Sequence, residues 1–82
     1  MVNGNELAII EVKYNAHQND LDKLLNVQYP KFKKLYPEYK DYKHHLGLAS
    51  FHMYDNVKEE ALKNNVMVLQ RRGDVVETFL PL

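Results

Sequence analysis

The strand-like run from Leu7 to Val12 constrains the fold most strongly, because it is otherwise apolar and yet contains Glu11 and is followed by Lys13. A nearly continuous apolar run is typical of a strand that is buried on both sides between helices. Glu11 and Lys13 are two residues apart, so on a strand they share one face, with about 7 Å between their Cα atoms. Charges on a buried strand cost free energy unless they are paired or face a polar site. We therefore treat Glu11 and Lys13 as the candidate functional pair.

The rest of the chain alternates between helical and extended patterns. Apolar residues at helical spacing and proline breaks define the helices, and β-rich runs bounded by glycine define the strands. Within the first helix, Pro30 removes a backbone donor and clashes with the Asn26 carbonyl, which predicts a kink or a short break. The predicted elements are a type I′ turn at Asn3-Gly4, the strand just described, a helix from an N-cap at Asn19 or Asp20 to Tyr36, a strand over 43–51, a helix over 56–64 capped by Asp55, and a hairpin of 66–69 and 75–80 turning at Gly73-Asp74.

This order, β-α-β-α-β-β, predicts an α/β fold in which a small mixed β-sheet is flanked by helices. Residues 1–82 are expected to be a single domain, because 82 residues are close to the lower limit for one hydrophobic core. Only Met1-Val2 precede the first turn, so the chain is expected to begin within a hairpin. The outer edge of the Leu7–Tyr14 strand is then open, which predicts a homo-oligomer formed through that edge.

The composition narrows the classes of protein and of site. Eleven basic residues balance eleven acidic ones, and the absence of cysteine excludes disulfides and thiolate metal sites. No apolar span approaches about 18 residues, and no charged-then-apolar leader precedes the first strand. We therefore expect a cytoplasmic protein that does not enter the membrane.

Positive charge is concentrated between residues 23 and 45, where six lysines occur with only two acidic residues. Such a run is either a solvated helix face or a patch that faces phosphate, and the nearby tyrosines either pack or stack on bases. If the patch binds nucleic acid, the candidate residues are Lys31, Lys33, Lys34, Gln28 and His17. Gln28 lies on the apolar stripe of its helix, where it either reaches toward Glu11 and Lys13 or bonds to the backbone near Pro30.

The four histidines are better explained as structural or solvent-exposed residues than as metal ligands. His44 and His45 are adjacent, so on a strand they face opposite sides and cannot share one ion. His17 and His52 lack the spacing that would place them on one helix face. Of these residues, His17 remains a candidate for phosphate contact, because it follows the strand that carries Glu11 and Lys13.

With its elements in this order, the chain resembles the PD-(D/E)XK nuclease superfamily, which has the restriction-endonuclease-like fold. The resemblance is carried by the Asn3-Gly4 turn, by the strand with Glu11-Val12-Lys13, and by the helix, strand, helix and hairpin that follow. More narrowly, the chain is similar to an E-V-K-containing prokaryotic group whose lysine-rich helix closes in an F-P-E-Y-like stretch, here Leu35-Tyr36-Pro37-Glu38-Tyr39. Relative to that core, the chain is expected to lack the first helix and the first strand.

The resemblance implies a Mg²⁺-dependent nuclease that acts on DNA phosphodiesters. In the superfamily, the E-x-K glutamate and an aspartate of the preceding strand hold Mg²⁺, and the lysine positions or activates the attacking water. By resemblance, Glu11 is a metal ligand, the Val12 carbonyl a second ligand, and Lys13 the catalytic lysine. The aspartate belongs before Asn3-Gly4, so these 82 residues alone are expected to lack nuclease activity. The alternative is a non-catalytic interaction or dimerisation module that keeps the nuclease fold.

Overall fold

A computed structural model describes residues 2–81, which form one five-stranded mixed sheet with helices packed on it. The strands lie side by side in the order in which they occur along the chain. The outer pairs β1–β2 and β4–β5 are antiparallel, whereas β2–β3 and β3–β4 are parallel. The strands are β1 Val2–Asn3, β2 Glu6–Ala16, β3 Lys43–Met53, β4 Val66–Arg72 and β5 Val75–Phe79.

Helices supply the two connections between parallel strands. The first connection contains α1 Gln18–Lys23, a π-helical turn Leu24–Gln28, α2 Tyr29–Leu35 and a 3₁₀ turn Pro37–Tyr39. The second connection is α3 Asp55–Lys63. None of the helices within residues 2–81 is long and apolar enough to cross a membrane. The predicted mixed α/β class is confirmed, and the predicted order β-α-β-α-β-β is found after the two-residue strand β1.

All the helices that contribute to the core pack on the same face of the sheet. The connections from β2 to β3 and from β3 to β4 both move across the sheet in the same direction. Because such crossovers are right-handed, two that move in the same direction place their helices on the same face of the sheet. The core lies between that face and the helices. Its buried members come from both sides: Ala16, Leu21, Leu24, Leu46, Leu48, Val57, Ala61, Val66 and Val68.

The opposite face of the sheet carries apolar side chains that no helix covers within residues 2–81. On β2, odd-numbered residues from Leu7 to Lys13 face the helices, whereas Ile10 and Val12 point the other way and are 40% and 69% exposed. Burial of this strand on both sides, predicted from its apolar run, is therefore wrong. An apolar run shows that both faces of a strand are apolar. It does not show whether a helix covers the second face.

The two hairpin turns depend on glycine, but the first is shifted by one residue from its predicted position. Its central residues are Gly4 and Asn5, and Asn3 pairs with Glu6 as the last residue of β1. Gly4 has φ +62°, whereas Asn3 and Asn5 are not in the left-handed region. A type II′ turn needs positive φ only at its first central residue, so glycine alone is sufficient. The other turn, at Gly73-Asp74, lies where it was predicted.

The first helical connection begins earlier than predicted and contains the expected irregularity. Its N-cap is His17, and the Asp20 side chain accepts a hydrogen bond from the His17 amide instead of capping the helix itself. Near Pro30, the Tyr29 amide donates to the Leu24 carbonyl, five residues back. This π-helical turn is the break that Pro30 predicted, because a wider turn accommodates a residue without an amide donor.

Candidate functional site

Glu11 and Lys13 lie side by side on the helix-covered face of β2. The Lys13 Nζ is 3.7 Å from the Glu11 Oε1, and the Lys13 and Glu11 side chains are 43% and 26% exposed. Both residues therefore lie at the border of the core and not at its centre. The sequence-based expectation that they share a face is confirmed, and their pairing offsets part of the cost of placing charge beside apolar residues.

A second carboxylate, from Asp20, lies on the other side of the Lys13 ammonium. Its Oδ1 is 4.0 Å from the Lys13 Nζ, and its side chain is only 15% exposed. The other oxygen of Asp20 accepts from the His17 amide at 2.9 Å, which fixes the carboxylate at the start of α1. We call Glu11, Lys13 and Asp20 the acid–lysine triad. With two carboxylates and one ammonium ionised, its net charge is −1.

Sequence reasoning treated Asp20 only as a helix cap and missed its position beside Lys13. The two residues come together because β2 ends at Ala16 and the chain turns back over the strand at His17. The first turn of a helix that follows a strand in this way returns over the last residues of that strand. An acidic residue in that turn, a few residues after E-x-K, is the pattern that points to such a contact.

The Val12 carbonyl points away from β3, toward the open edge of β2. Across the β2–β3 pair, the Lys43 amide donates to the Asn5 carbonyl, so odd-numbered residues of β2 bond toward β3 and even-numbered ones point outward. From Ile9 onward, no strand among residues 2–81 lies on that outer side, because β1 pairs only with Glu6 and Leu7. A carbonyl so placed is free of the β2–β3 ladder and accessible to a ligand at the sheet edge.

Gln28 is the last residue of the π-helical turn, and its side-chain oxygen is buried. The Oε1 atom has no hydrogen-bond partner among residues 2–81. The predicted bond to the backbone near Pro30 would be donated by the side-chain amide nitrogen of Gln28, so it stays a prediction. Turns of the π type are often found at functional sites, and a buried acceptor without a donor is a cost that needs an explanation.

The cost of the buried Gln28 oxygen predicts that Gln28→Met stabilises the fold. An orphaned buried acceptor costs about 1–3 kcal/mol, and an apolar side chain of similar length removes that cost. We expect a gain of about 1 kcal/mol, which raises the thermal midpoint by roughly 4–8 °C for a domain of this size. Gln18→Met on exposed α1 is the control and should change the midpoint little. Thermal unfolding followed by circular dichroism measures both, and a lower midpoint for Gln28→Met would contradict the expectation.

The remaining predicted nucleic-acid-binding residues fall into two separate places. Lys31, Lys33 and Lys34 lie on exposed α2 and line a shallow groove with Pro30. His17 lies at the other end of the helical connection, where its ring is 5.8 Å from that of Tyr54. The structure thus groups the three lysines but does not bring His17 to them.

His44 and His45 face opposite sides of β3, as predicted. His44 points to the helices, where its Nδ1 is 2.7 Å from the Tyr29 hydroxyl and its Nε2 is 2.7 Å from the Tyr39 carbonyl. His45 points to the open face, 3.0 Å from the Glu6 carboxylate. Each histidine thus has polar contacts of its own, and residues 2–81 contain no group of three or more His, Asp or Glu side chains arranged to hold a metal ion.

A cleft of about 380 Å³ lies at the carboxyl ends of β2 and β3, where open α/β sheets commonly bind ligands. Its lining is mainly uncharged, and no member of the acid–lysine triad contributes to it. The lining residues are Asn15, His52, Met53, Tyr54 and Gln70. The cleft and the triad are therefore separate features of this end of the sheet.

Comparison of the chain with protein-family models, with curated proteins and with solved structures gives no match.

Proposed function

We propose that this chain is a nuclease-like domain of restriction-endonuclease-like core, in which Glu11 and Asp20 would hold Mg²⁺ and Lys13 contacts a DNA phosphodiester. The observation that carries the proposal is the position of Lys13 between two carboxylates on a half-buried strand face. Carboxylates next to an ammonium group can hold a divalent cation and a phosphate oxygen at adjacent positions.

The triad offers the type of oxygen ligand that Mg²⁺ prefers, but only a small number of them. Mg²⁺ prefers hard oxygen ligands, keeps several waters, and is often bound by one or two carboxylates together with substrate phosphate. Glu11, Asp20 and the outward Val12 carbonyl are the groups of this chain that would hold it. When bound, the ion would neutralise charge on the phosphate and acidify a water.

In this proposal, Lys13 is the residue that acts on the substrate directly. Its side chain is 43% exposed and is therefore accessible to a phosphate oxygen. A cation held there stabilises negative charge that develops on the phosphate during attack. Glu11 and Asp20 orient the Lys13 ammonium group from its two sides. We further propose that the 82 residues bind metal weakly and do not cleave DNA on their own, since one oxygen of Asp20 is already engaged by the His17 amide.

Titration with Mn²⁺, followed by paramagnetic broadening of amide resonances, tests the metal half of the proposal. We expect broadening centred on residues 11–13 and 17–20, and about tenfold weaker binding in Glu11→Gln and in Asp20→Asn, since each removes a charged ligand. Lys13→Met should bind Mn²⁺ more tightly, because the triad then has a net charge of −2 instead of −1. Glu59→Gln on the exposed side of α3 is the control. Broadening centred on His44 and His45, or unchanged by these substitutions, would exclude the site.

A second candidate function, a self-association module, is favoured by the uncovered face of the sheet. Exposed apolar residues lie together on that face: Ile10, Val12, Tyr14, Phe51 and Val76. The Tyr14 and Phe51 rings are 5.2 Å apart, so the patch is continuous from β2 to β3. Exposed apolar patches of this kind usually mark interaction surfaces, and the open edge of β2 adjoins the patch. We propose a second copy of the chain as the partner.

A further inference from the structure

A cleft with aromatic and lysine walls lies between α2, the 3₁₀ turn and the start of β3. His44, in its lining, pairs with Leu7 on β2, four residues along that strand from Glu11 of the acid–lysine triad. The cleft has a volume of about 390 Å³, within the range of pockets that hold small molecules. We call it the tyrosine–lysine cleft. Its lining residues are Tyr29, Lys33, Tyr36, Lys40, Tyr42 and His44.

The floor of the cleft is held in place by His44. A carbonyl can only accept, so the His44 Nε2 donates to the Tyr39 carbonyl, and in the neutral ring Nδ1 then accepts from the Tyr29 hydroxyl. Both ring nitrogens are therefore used within the protein. His44 acts as a support that fixes Tyr29 and the 3₁₀ turn, and it is not available as a ligand for a metal or a substrate.

A continuous set of aromatic rings supports two tyrosines of the lining, Tyr36 and Tyr42, from behind or beside the cleft. Phe32 is 5.0 Å from Tyr36 and stacks on Tyr39 at 6.1 Å between ring centroids. Tyr39 in turn contacts Tyr42 edge to face at 5.0 Å. Rings packed against one another lose little freedom when a planar ligand binds, and every base offers a face for stacking on them.

The cleft also carries positive charge that the described protein does not neutralise. The Lys33 Nζ lies 4.5 Å from the centre of the Tyr29 ring, and Lys40 also belongs to the lining. No carboxylate lines the cleft, and neither lysine forms an ion pair within residues 2–81. The site therefore offers two ammonium groups and phenol hydroxyls to an anion, next to an aromatic surface.

From this combination we propose that the tyrosine–lysine cleft binds a phosphorylated nucleoside. The base stacks on the exposed ring of Tyr36 and the half-buried ring of Tyr42, and the phosphate contacts Lys33 and Lys40. The same chemistry is offered by a free mononucleotide and by the terminal nucleotide of a single strand. This inference extends the proposed nucleic-acid function to a second site and does not depend on metal binding at the triad, so either can fail without the other.

Titrations of the ¹⁵N-labelled protein with adenosine 5′-monophosphate and with a 5′-phosphorylated oligonucleotide of five thymidines test the proposal. Adenosine, inorganic phosphate and the unphosphorylated oligonucleotide are the matched controls. We expect amide shifts at residues 29–44 with the phosphorylated probes, and weaker binding as salt increases. Binding of the mononucleotide alone would identify a free nucleotide as the ligand, and binding of the oligonucleotide alone would identify a strand end. Equal binding of inorganic phosphate, or shifts elsewhere, would overturn the proposal.

Substitutions distinguish the contribution of the lysine charges to binding from that of the aromatic stacking surface. Lys33→Gln and Lys40→Gln should each weaken binding about tenfold, because each removes one charged contact to phosphate. Tyr42→Leu should weaken binding of both probes and leave the response to inorganic phosphate unchanged. Lys63→Gln, at the exposed end of α3, is the control and should bind as the parent does. Equal affinity for all four variants would overturn the assignment of the cleft.

Discussion

Leu48→Ala is expected to destabilise the protein strongly, because it truncates a side chain at the centre of the core. Leu48 has no exposed surface and lies in the core cluster on β3, between Glu11 of β2 and Val68 of β4. Truncation removes buried apolar contacts and leaves a cavity, at a cost of about 3 kcal/mol. A domain of this size has roughly 4–12 kcal/mol of total stability. The substitution therefore removes a large fraction of the free energy of unfolding.

Thermal and urea unfolding of Leu48→Ala and of the parent measure this effect. We expect the thermal midpoint to fall by more than about 10 °C, since 1 kcal/mol corresponds to 4–8 °C for a domain of this length. Leu35→Ala is the matched control, because Leu35 is the same residue type on α2 and is 61% exposed. Its midpoint should change by little. Equal losses for the two variants would show that the core does not lie where the structure places it.

The contrast between Leu48 and Leu35 also shows where the spacing of apolar residues was enough to predict burial and where it was not. Leu21, Leu24 and Leu35 lie on one apolar stripe in the sequence, and only the first two are buried. The π-helical turn before Pro30 changes the helix phase, and α2 has no buried residue. A stripe predicted from a regular 3.6-residue period does not continue through such a turn, so burial beyond it could not be predicted.

In the candidate site, too, the features set by local strand geometry were predicted, and those set by the tertiary fold were not. The shared face of Glu11 and Lys13 follows from strand geometry alone and was predicted. Asp20 joins them only because the chain reverses at His17, a tertiary contact for which neither residue type nor spacing was decisive. The open face of the sheet was missed for a related reason. The apolar residues of β2 were recognised, but which of its two faces the helices cover depends on the direction of both crossovers.

If the uncovered sheet face is a self-association surface, Val12→Lys should convert the protein from dimer to monomer. Val12 is the most exposed apolar residue of the face, at 69%, and lies on β2 beside the open edge. A lysine there places two like charges at the interface of two copies, and desolvating them opposes association. The side chain points away from the core, so the fold should be preserved. Sedimentation velocity over a range of protein concentrations measures the change.

Val75→Lys provides the control, because it makes the same substitution at a similar exposure on the other face. Val75 is 61% exposed and shares the face of Phe79, which packs against the core side of the sheet. Association that Val12→Lys abolishes and Val75→Lys leaves intact assigns the contact to the uncovered face. A parent protein that stays monomeric at high concentration would instead remove the self-association candidate. The exposed apolar side chains of β2 and β3 would then need a different partner, because water alone does not stabilise a continuous apolar surface.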